Sequence, residues 1–394
     1  MEDIYIVSGV RTAVGDFGGS LKSLLPNELG SRVAAEALKR ARVPAADVGH
    51  VVFGQVMQTS ARDNMLSRAI ALKAGVPIAA PALTLNRLCG SGVQAIVSAA
   101  QMMKLGEASI TLAGGAESMS NVPYHDHGVR WGRKMGNKTQ EDALTFGLQD
   151  ALGDYHMGVT AENCATRHQV TRADQDALAL EGHQRASRAI AEGRFKEQIL
   201  PIEIKTRKGV TVFDTDEHPR ADTTAEALAS MRAAFQKDGT VTAGNASGIN
   251  DGAAAVVLAT GAEVEKRGLQ PLARIVSWGH AGVEPEYMGE GPIKAVPVAL
   301  ERAGLKLADM DVIEANEAFA AQALAVAKVL GFDRAKLNPN GSGIAIGHPV
   351  GATGCILTIK CAYELKRIGG RYGLITMCIG GGQGIALVIE RVAA

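Results

Sequence analysis

Four short loops carry side chains able to do covalent chemistry. In the run NRLCGSG (Asn86–Gly92), Cys89 falls between an apolar strand-like stretch, ALTL, and a helix-like stretch beginning near Val93. A thiol at a helix N-terminus feels the positive end of the dipole and free N–H groups, which are expected to lower its pKa and favour thiolate. The same N–H groups could hold a developing oxyanion. The plainer role is a small buried residue in a turn. In GSGIAIGHPVGATG (Gly341–Gly354), His348 stands among glycines before a second helix. A neutral imidazole is the usual base for activating a thiol, although most histidines are hydrogen-bonded structural residues. This loop lacks GxGxxG spacing and a Lys-Ser/Thr pair, so a phosphate cradle is a poor fit. MCIGGGQG (Met377–Gly384) ends a strand-like run with Cys378 and three glycines. A second thiol there suits proton transfer at a substrate carbon, or simply packs. In EANEAFA (Glu314–Ala320), Asn316 could polarise a carbonyl directly or through water, or cap the next helix.

These loops need a frame. Strand-like runs bounded by glycine include IYIVSG, VGHVVFGQV, ASITLAGG, AAAVVLAT, ARIVSWG, DVIEANEA, YGLITMCIGGG and GIALVIERV. Helical patterns such as NELGSRVAAEALKRA and VQAIVSAAQMMKLG lie between them, which indicates an α/β protein with largely buried sheets. The chain is also duplicated. Ala37–Gly54 aligns with Ala299–Asn316 at an offset of 262 residues, with six of 18 positions identical. The same offset sets LCGSG (Leu88–Gly92) against VGATG (Val350–Gly354), and a slip of three residues then pairs ASITLAGG with GLITMCIGG. Two related halves are expected to pack about a pseudo-twofold axis, with a site at their interface. The first half spans 1–118 and resumes at 250–270. The second spans 271–394. Residues 119–249 read as an inserted loop segment, of a length that is usually functional, with a helix opening at Thr171 that Thr171 caps and Asp174 supports.

Composition bounds the function. A chain of 394 residues exceeds what one hydrophobic core holds. Its 41 basic and 41 acidic residues cancel, which argues against nucleic acid or an anionic membrane as partner. No apolar run reaches the roughly 18 residues of a membrane span, and no signal or transit peptide is visible. The five cysteines, odd in number and irregularly spaced, suit free thiols in a reducing cytoplasm rather than disulfides or zinc. The run His125-Asp126-His127 reads as adjacent exposed loop residues, and no metal is assigned. Cys164, Cys355 and Cys361 read as packing residues.

NRLCGSG, NEAFA, GHPVGATG and CIGGGQG, in this order, resemble the four signature loops of the thiolase family, and the resemblance runs through the whole chain. It is nearest to bacterial acetyl-CoA acetyltransferases, or β-ketothiolases, including those that feed polyhydroxyalkanoate synthesis. The resemblance implies a duplicated five-layer αβαβα fold, a homotetramer, coenzyme A thioesters as substrates and no cofactor. It makes Cys89 the acyl-accepting nucleophile, His348 its base, and Cys378 the acid/base at the acetyl Cα. One oxyanion site would use His348 and a water held by Asn316. The other would use the N–H groups of Cys89 and Gly380. It also places His156, Met157, Arg220, Phe235, Ala243, Ser247, Met288 and Phe319 along the coenzyme A path. Physically, Arg220 could pair with a phosphate and Ser247 could bond the pantetheine amide. The resulting activity is a reversible Claisen condensation of acetyl-CoA with an acyl-CoA. The rivals are a β-ketoacyl synthase, which typically pairs its cysteine with two histidines, a noncatalytic acyl-CoA binding protein, and a cysteine hydrolase.

Overall fold

Eight strand-like runs, together with the shorter ALTL, become the nine strands of two half-sheets. The computed structural model describes residues 2–132, 134–207 and 209–392. In the first half, β1 (Ile4–Arg11), β2 (His50–Gly54), β3 (Ala82–Leu85), β4 (Ile110–Ser118) and β5 (Asn250–Thr260) lie in the order β1-β5-β4-β2-β3. In the second, β6 (Ala273–Gly282), β7 (Met310–Ala315), β8 (Tyr372–Ile379) and β9 (Gln383–Arg391) lie in the order β6-β9-β8-β7. The two orders match strand for strand, apart from the extra edge strand β3. Antiparallel pairing of Ile4 with Ile275 and Ile6 with Ala273 joins β1 to β6 and makes the halves continuous.

The helices complete the layers. In the first half α1 (Pro26–Ala41) and α2 (Leu66–Lys73) cover one face of the sheet, while α3 (Ser91–Lys104) covers the other. Residues 119–249 contribute α4 (Met157–His168) and α5 (Arg172–Ala191). In the second half come α6 (Gly291–Ala303), α7 (Ala320–Leu330) and α8 (Val350–Ile368). Helices α3 and α8 pack on each other and touch strands of both halves, so they form a central layer between the two half-sheets. Their crossing explains two glycines. A Cβ at Gly92 would lie 2.5 Å from the backbone nitrogen of Cys355, and one at Gly354 would run into that of Val93. The contact is reciprocal at an offset of 262 residues, as a pseudo-twofold axis requires.

The register corrects one sequence expectation. β2 pairs in parallel with β4 through His50 and Thr111, and β7 pairs with β8 through Val312 and Gly373. The offset therefore stays at 262 and no slip of three residues occurs. Shared apolar composition, not shared position, made ASITLAGG look like GLITMCIGG. Other local expectations hold: Thr171 accepts from the Asp174 N–H and the Asp174 side chain reciprocates, a cap that contributes about 1 kcal/mol. The segment 119–249 is fastened to the core by a buried bidentate pair, Arg11 to Asp216, at 2.7 and 2.9 Å. A second buried pair, Lys360 Nζ to Glu314 at 2.8 Å, ties α8 to β7. Breaking such a pair from one side costs about 3–5 kcal/mol.

Candidate active site

The turn that presents Cys89 is built by its neighbours. Leu88 has φ 46°, a left-handed conformation that costs a non-glycine residue about 1–3 kcal/mol. Asn86 Oδ1 accepts the Leu88 N–H at 2.8 Å. The Ser91 hydroxyl accepts the Arg87 N–H at 2.9 Å and donates to the Leu88 carbonyl at 2.6 Å. Asn86 and Ser91 thus hold the strained turn between β3 and α3, and the glycines on either side of Ser91 let it pack: a Cβ at Gly90 would meet Ile379 at 2.6 Å. Of the five free cysteines only Cys89 is not fully buried.

Its ionisation departs from the sequence expectation. Burial pushes the Cys89 thiol up to about 11, against the N–H groups of Gly380 and of Cys89 itself, which favour thiolate. The charge of Glu117 raises it further. The helix end is present, since α3 starts two residues later, but desolvation outweighs it. The two N–H groups that the family resemblance implies for an oxyanion site converge on the Cys89 sulfur.

His348 is held from three sides. Its N–H donates to Asn250 Oδ1 at 2.8 Å, its Nδ1 lies 2.7 Å from the Thr353 hydroxyl, and its Nε2 lies 3.3 Å from Asn316 Nδ2. The Thr353 hydroxyl donates to the Pro349 carbonyl at 2.9 Å, so it accepts from Nδ1–H. This leaves Nε2 unprotonated, a lone pair receiving the Asn316 amide. Burial pushes His348 down to about 4, so the ring is neutral at physiological pH. Asn316 does not cap the next helix, whose N-cap is Phe319 with no side-chain bond. Its Oδ1 is buried without a protein partner. Asn338 holds the strand end before it, accepting the Ala315 N–H and donating to the Ala315 carbonyl, both at 2.9 Å.

Cys378 ends β8 fully buried, opposite Gly384. Burial, then the neighbouring Cys89 and Cys164, push its thiol well above the ordinary value. Cys378 shares an apolar cluster with Met157, Phe235, Met288 and Phe319. The His156 ring stacks on Phe235 at 4.7 Å between centroids, and Phe235 meets Phe319 edge-on at 6.0 Å. Ser247 joins them by donating its N–H to the Ala318 carbonyl at 2.9 Å. Ala243 and Arg220 stand apart and exposed, Arg220 with Asp16 at 3.6 Å. A separate pocket of about 710 Å³ opens on Cys89 and Gly380, walled by Leu88, Leu148, Met157 and Val350. Of the eight expected coenzyme A contacts only Met157 lines it.

Sequence reading missed the groups that hold the reactive ones: Asn250, Thr353, Asn338 and Glu117. Glu117 had a signal, a lone carboxylate ending the otherwise apolar run ITLAGGA. The others are polar residues at a strand start (Asn250), a helix start (Thr353) and in a loop (Asn338), with nothing in the sequence to set them apart.

Residues 4–262 match the thiolase N-terminal domain and residues 269–391 the thiolase C-terminal domain. The β-ketothiolase BktB of Cupriavidus necator is 59% identical over 391 residues, 99% of each chain. An acetyl-CoA acetyltransferase of Pseudomonas aeruginosa is 49% identical, over 99% of this chain and 100% of its own. Among solved structures, human mitochondrial 3-ketoacyl-CoA thiolase in complex with CoA has a TM-score of 0.97 at 44% identity, covering 100% of this chain and 98% of that one. The acetyl-CoA acetyltransferase of Bacillus anthracis has a TM-score of 0.97 at 46% identity, covering 100% and 99%.

Proposed function

The chain belongs to the thiolase family, and from that membership we propose that Cys89 carries the acyl group between two coenzyme A thioesters. The reaction is the reversible Claisen condensation of acetyl-CoA with an acyl-CoA to give a 3-oxoacyl-CoA and CoA. In this reading His348 takes the Cys89 proton as sulfur attacks the first thioester. With the thiol near 11 and the imidazole near 4, a preformed ion pair is disfavoured, and proton transfer accompanies attack. The Cys89 and Gly380 N–H groups receive the oxyanion of the acyl group.

Cys378, protonated at rest, gives its proton to the departing CoA thiolate. It thereby enters the second half-reaction as a thiolate, ready to remove an α-proton from acetyl-CoA. The enolate oxygen is held by the protonated His348 Nε2 and a water on Asn316, whose free Oδ1 is available for it. Attack of the enolate carbon on the acyl group forms the new C–C bond, and the Cys89 thiolate leaves and recovers its proton from His348. Thiolysis runs the same steps backwards.

The cluster of His156, Met157, Phe235, Met288, Phe319 and Ser247 beside Cys378 supports a pantetheine path, with Ala243 and Arg220 at its exposed end toward the phosphates. The pocket of about 710 Å³ at Cys89 is assigned to the acyl chain. The observation carrying this proposal is the convergence of the Gly380 N–H and the Cys378 thiol on Cys89; Asn316 and His348 are joined to each other, and Val350, two residues after His348, shares an apolar cluster with Cys89.

By this reading no cofactor takes part, residues 119–249 serve substrate binding and assembly, and the enzyme is a cytoplasmic homotetramer. Among the described residues no helix is long and apolar enough to cross a membrane.

The test is CoA-dependent consumption of acetoacetyl-CoA by the purified protein, with acetyl-CoA quantified. Two acetyl-CoA per substrate consumed is the expected result. Release of free acid independent of CoA would point to hydrolysis and sink the proposal.

A further inference from the structure

At the constant offset of 262 residues each reactive group has a counterpart in the other half. Cys89 is matched by Gly351, Asn316 by Gly54, His348 by Asn86 and Cys378 by Ala116. The strand registers give the same matching for Cys378 and Ala116. The counterpart loops therefore keep the backbone of a second site and lack its thiols and imidazole.

Glu117 stands there instead, fully buried at the end of β4. Its Oε2 accepts the Val56 N–H at 3.0 Å and the Gly351 N–H at 2.9 Å, and its Oε1 accepts the Met57 N–H at 3.1 Å. The Gly351 N–H is the counterpart of the Cys89 N–H, one of the two groups that converge on the Cys89 sulfur. Val56 and Met57 are the counterparts of Ala318 and Phe319 in the Asn316 loop.

Helix α8 cannot supply this acceptor itself, because its N-cap is Pro349 and has no side-chain bond. The fit is close: a Cβ at Gly351 would lie 2.6 Å from Glu117 Oε2 and 2.9 Å from Gln55 Cα. Gly351 lies three residues after His348, and leaving its N–H buried without an acceptor would be unfavourable.

We infer that Glu117 is the built-in occupant of the active site's pseudo-symmetric counterpart, and that by filling it Glu117 acts as a positioning residue for the His348 loop. The carboxylate locks that loop to the exit of β2, and with both oxygens taken by the Val56, Met57 and Gly351 N–H groups it positions the loop rather than touching substrate. This inference rests on His348 being the base.

The experiment measures kcat and KM for acetoacetyl-CoA thiolysis in full-length Glu117→Ala, Glu117→Gln and His348→Asn, with and without added formate. Glu117→Ala should lower kcat by about 100-fold, the scale of a misplaced catalytic group, with KM nearly unchanged. Formate, small enough for the vacated space, should restore part of that kcat and leave the unsubstituted enzyme unaffected. Glu117→Gln keeps one oxygen for the Val56 and Gly351 N–H groups and should lie between. A folded Glu117→Ala with full kcat, or a loss that formate leaves untouched, overturns the inference. Should Glu117→Ala fail to fold, Glu117→Gln decides: reduced kcat at unchanged KM supports the inference, and full kcat overturns it. An active His348→Asn would instead fail the base assignment, whereas an inactive one beside intact Glu117 variants would fail this inference alone.

Discussion

A Cys89 thiol near 11 and a His348 imidazole near 4 both carry no charge at rest. Under the proposed roles, the thiol should resist adventitious alkylation until a thioester is in place. The two thiols then differ in what they can do. Cys89→Ala should abolish the acyl-enzyme, while Cys378→Ala should still form it and fail to make or break the C–C bond. Mass spectrometry of the protein after exposure to acetyl-CoA separates these outcomes, and equal loss of acylation in both variants would contradict the division. Acylation of the parent enzyme should also be level between about pH 5 and 7.5, since an imidazole at about 4 is already neutral there. The candidate reactive residues stand out in the sequence because glycines crowd them and the four loops follow one another in the order of the family's signature. The shifted thiol pKa does not, because desolvation depends on how many atoms from distant segments surround the sulfur, and those come from β4 and β8 as much as from the Cys89 loop.

Helices and strands position these groups through contacts of almost no tolerance. The α3–α8 crossing brings the Cys89 and His348 loops to the same end of the molecule, and it exists because Gly92 and Gly354 allow backbone to meet backbone. Gly92→Ala should destabilise the protein by about 1–3 kcal/mol through overpacking. It should also lower kcat, since Cys89 sits three residues away and must shift with the helix. Thermal melts and steady-state kinetics check both, and an unchanged melting temperature would mean that the crossing yields without strain. At this scale the alternation of strand and helix was readable throughout. The apparent slip between ASITLAGG and GLITMCIGG was an error of a particular kind. Runs of Ile, Leu, Thr and Gly align equally well at several offsets, and only the pairing of Thr111 with His50 and of Gly373 with Val312 chooses among them.

The molecule as a whole presents an uneven surface. Val129, Trp131 and Met135 in the segment 119–249 are 54%, 88% and 91% exposed, an apolar group of the kind that marks a partner surface. If this segment mediates the proposed tetramer, Trp131→Glu should yield a smaller species by light scattering. An unchanged mass would move the interface elsewhere. The duplication itself was visible in the sequence, but its closure into one sheet through Ile4–Ile6 and Ala273–Ile275 was not, because nothing local distinguishes an edge that pairs from one that does not. The central helical layer has a consequence for the order of events during synthesis. Strand β5, which sits between β1 and β4, is made only after residues 119–249, and α8, which covers the inner face of that same sheet, lies near the end of the chain. An emerging first half therefore has only α3 on the inner face of its sheet until α8 is made. A chain cut before α8 should leave part of that face bare and aggregate more readily than the full chain on refolding.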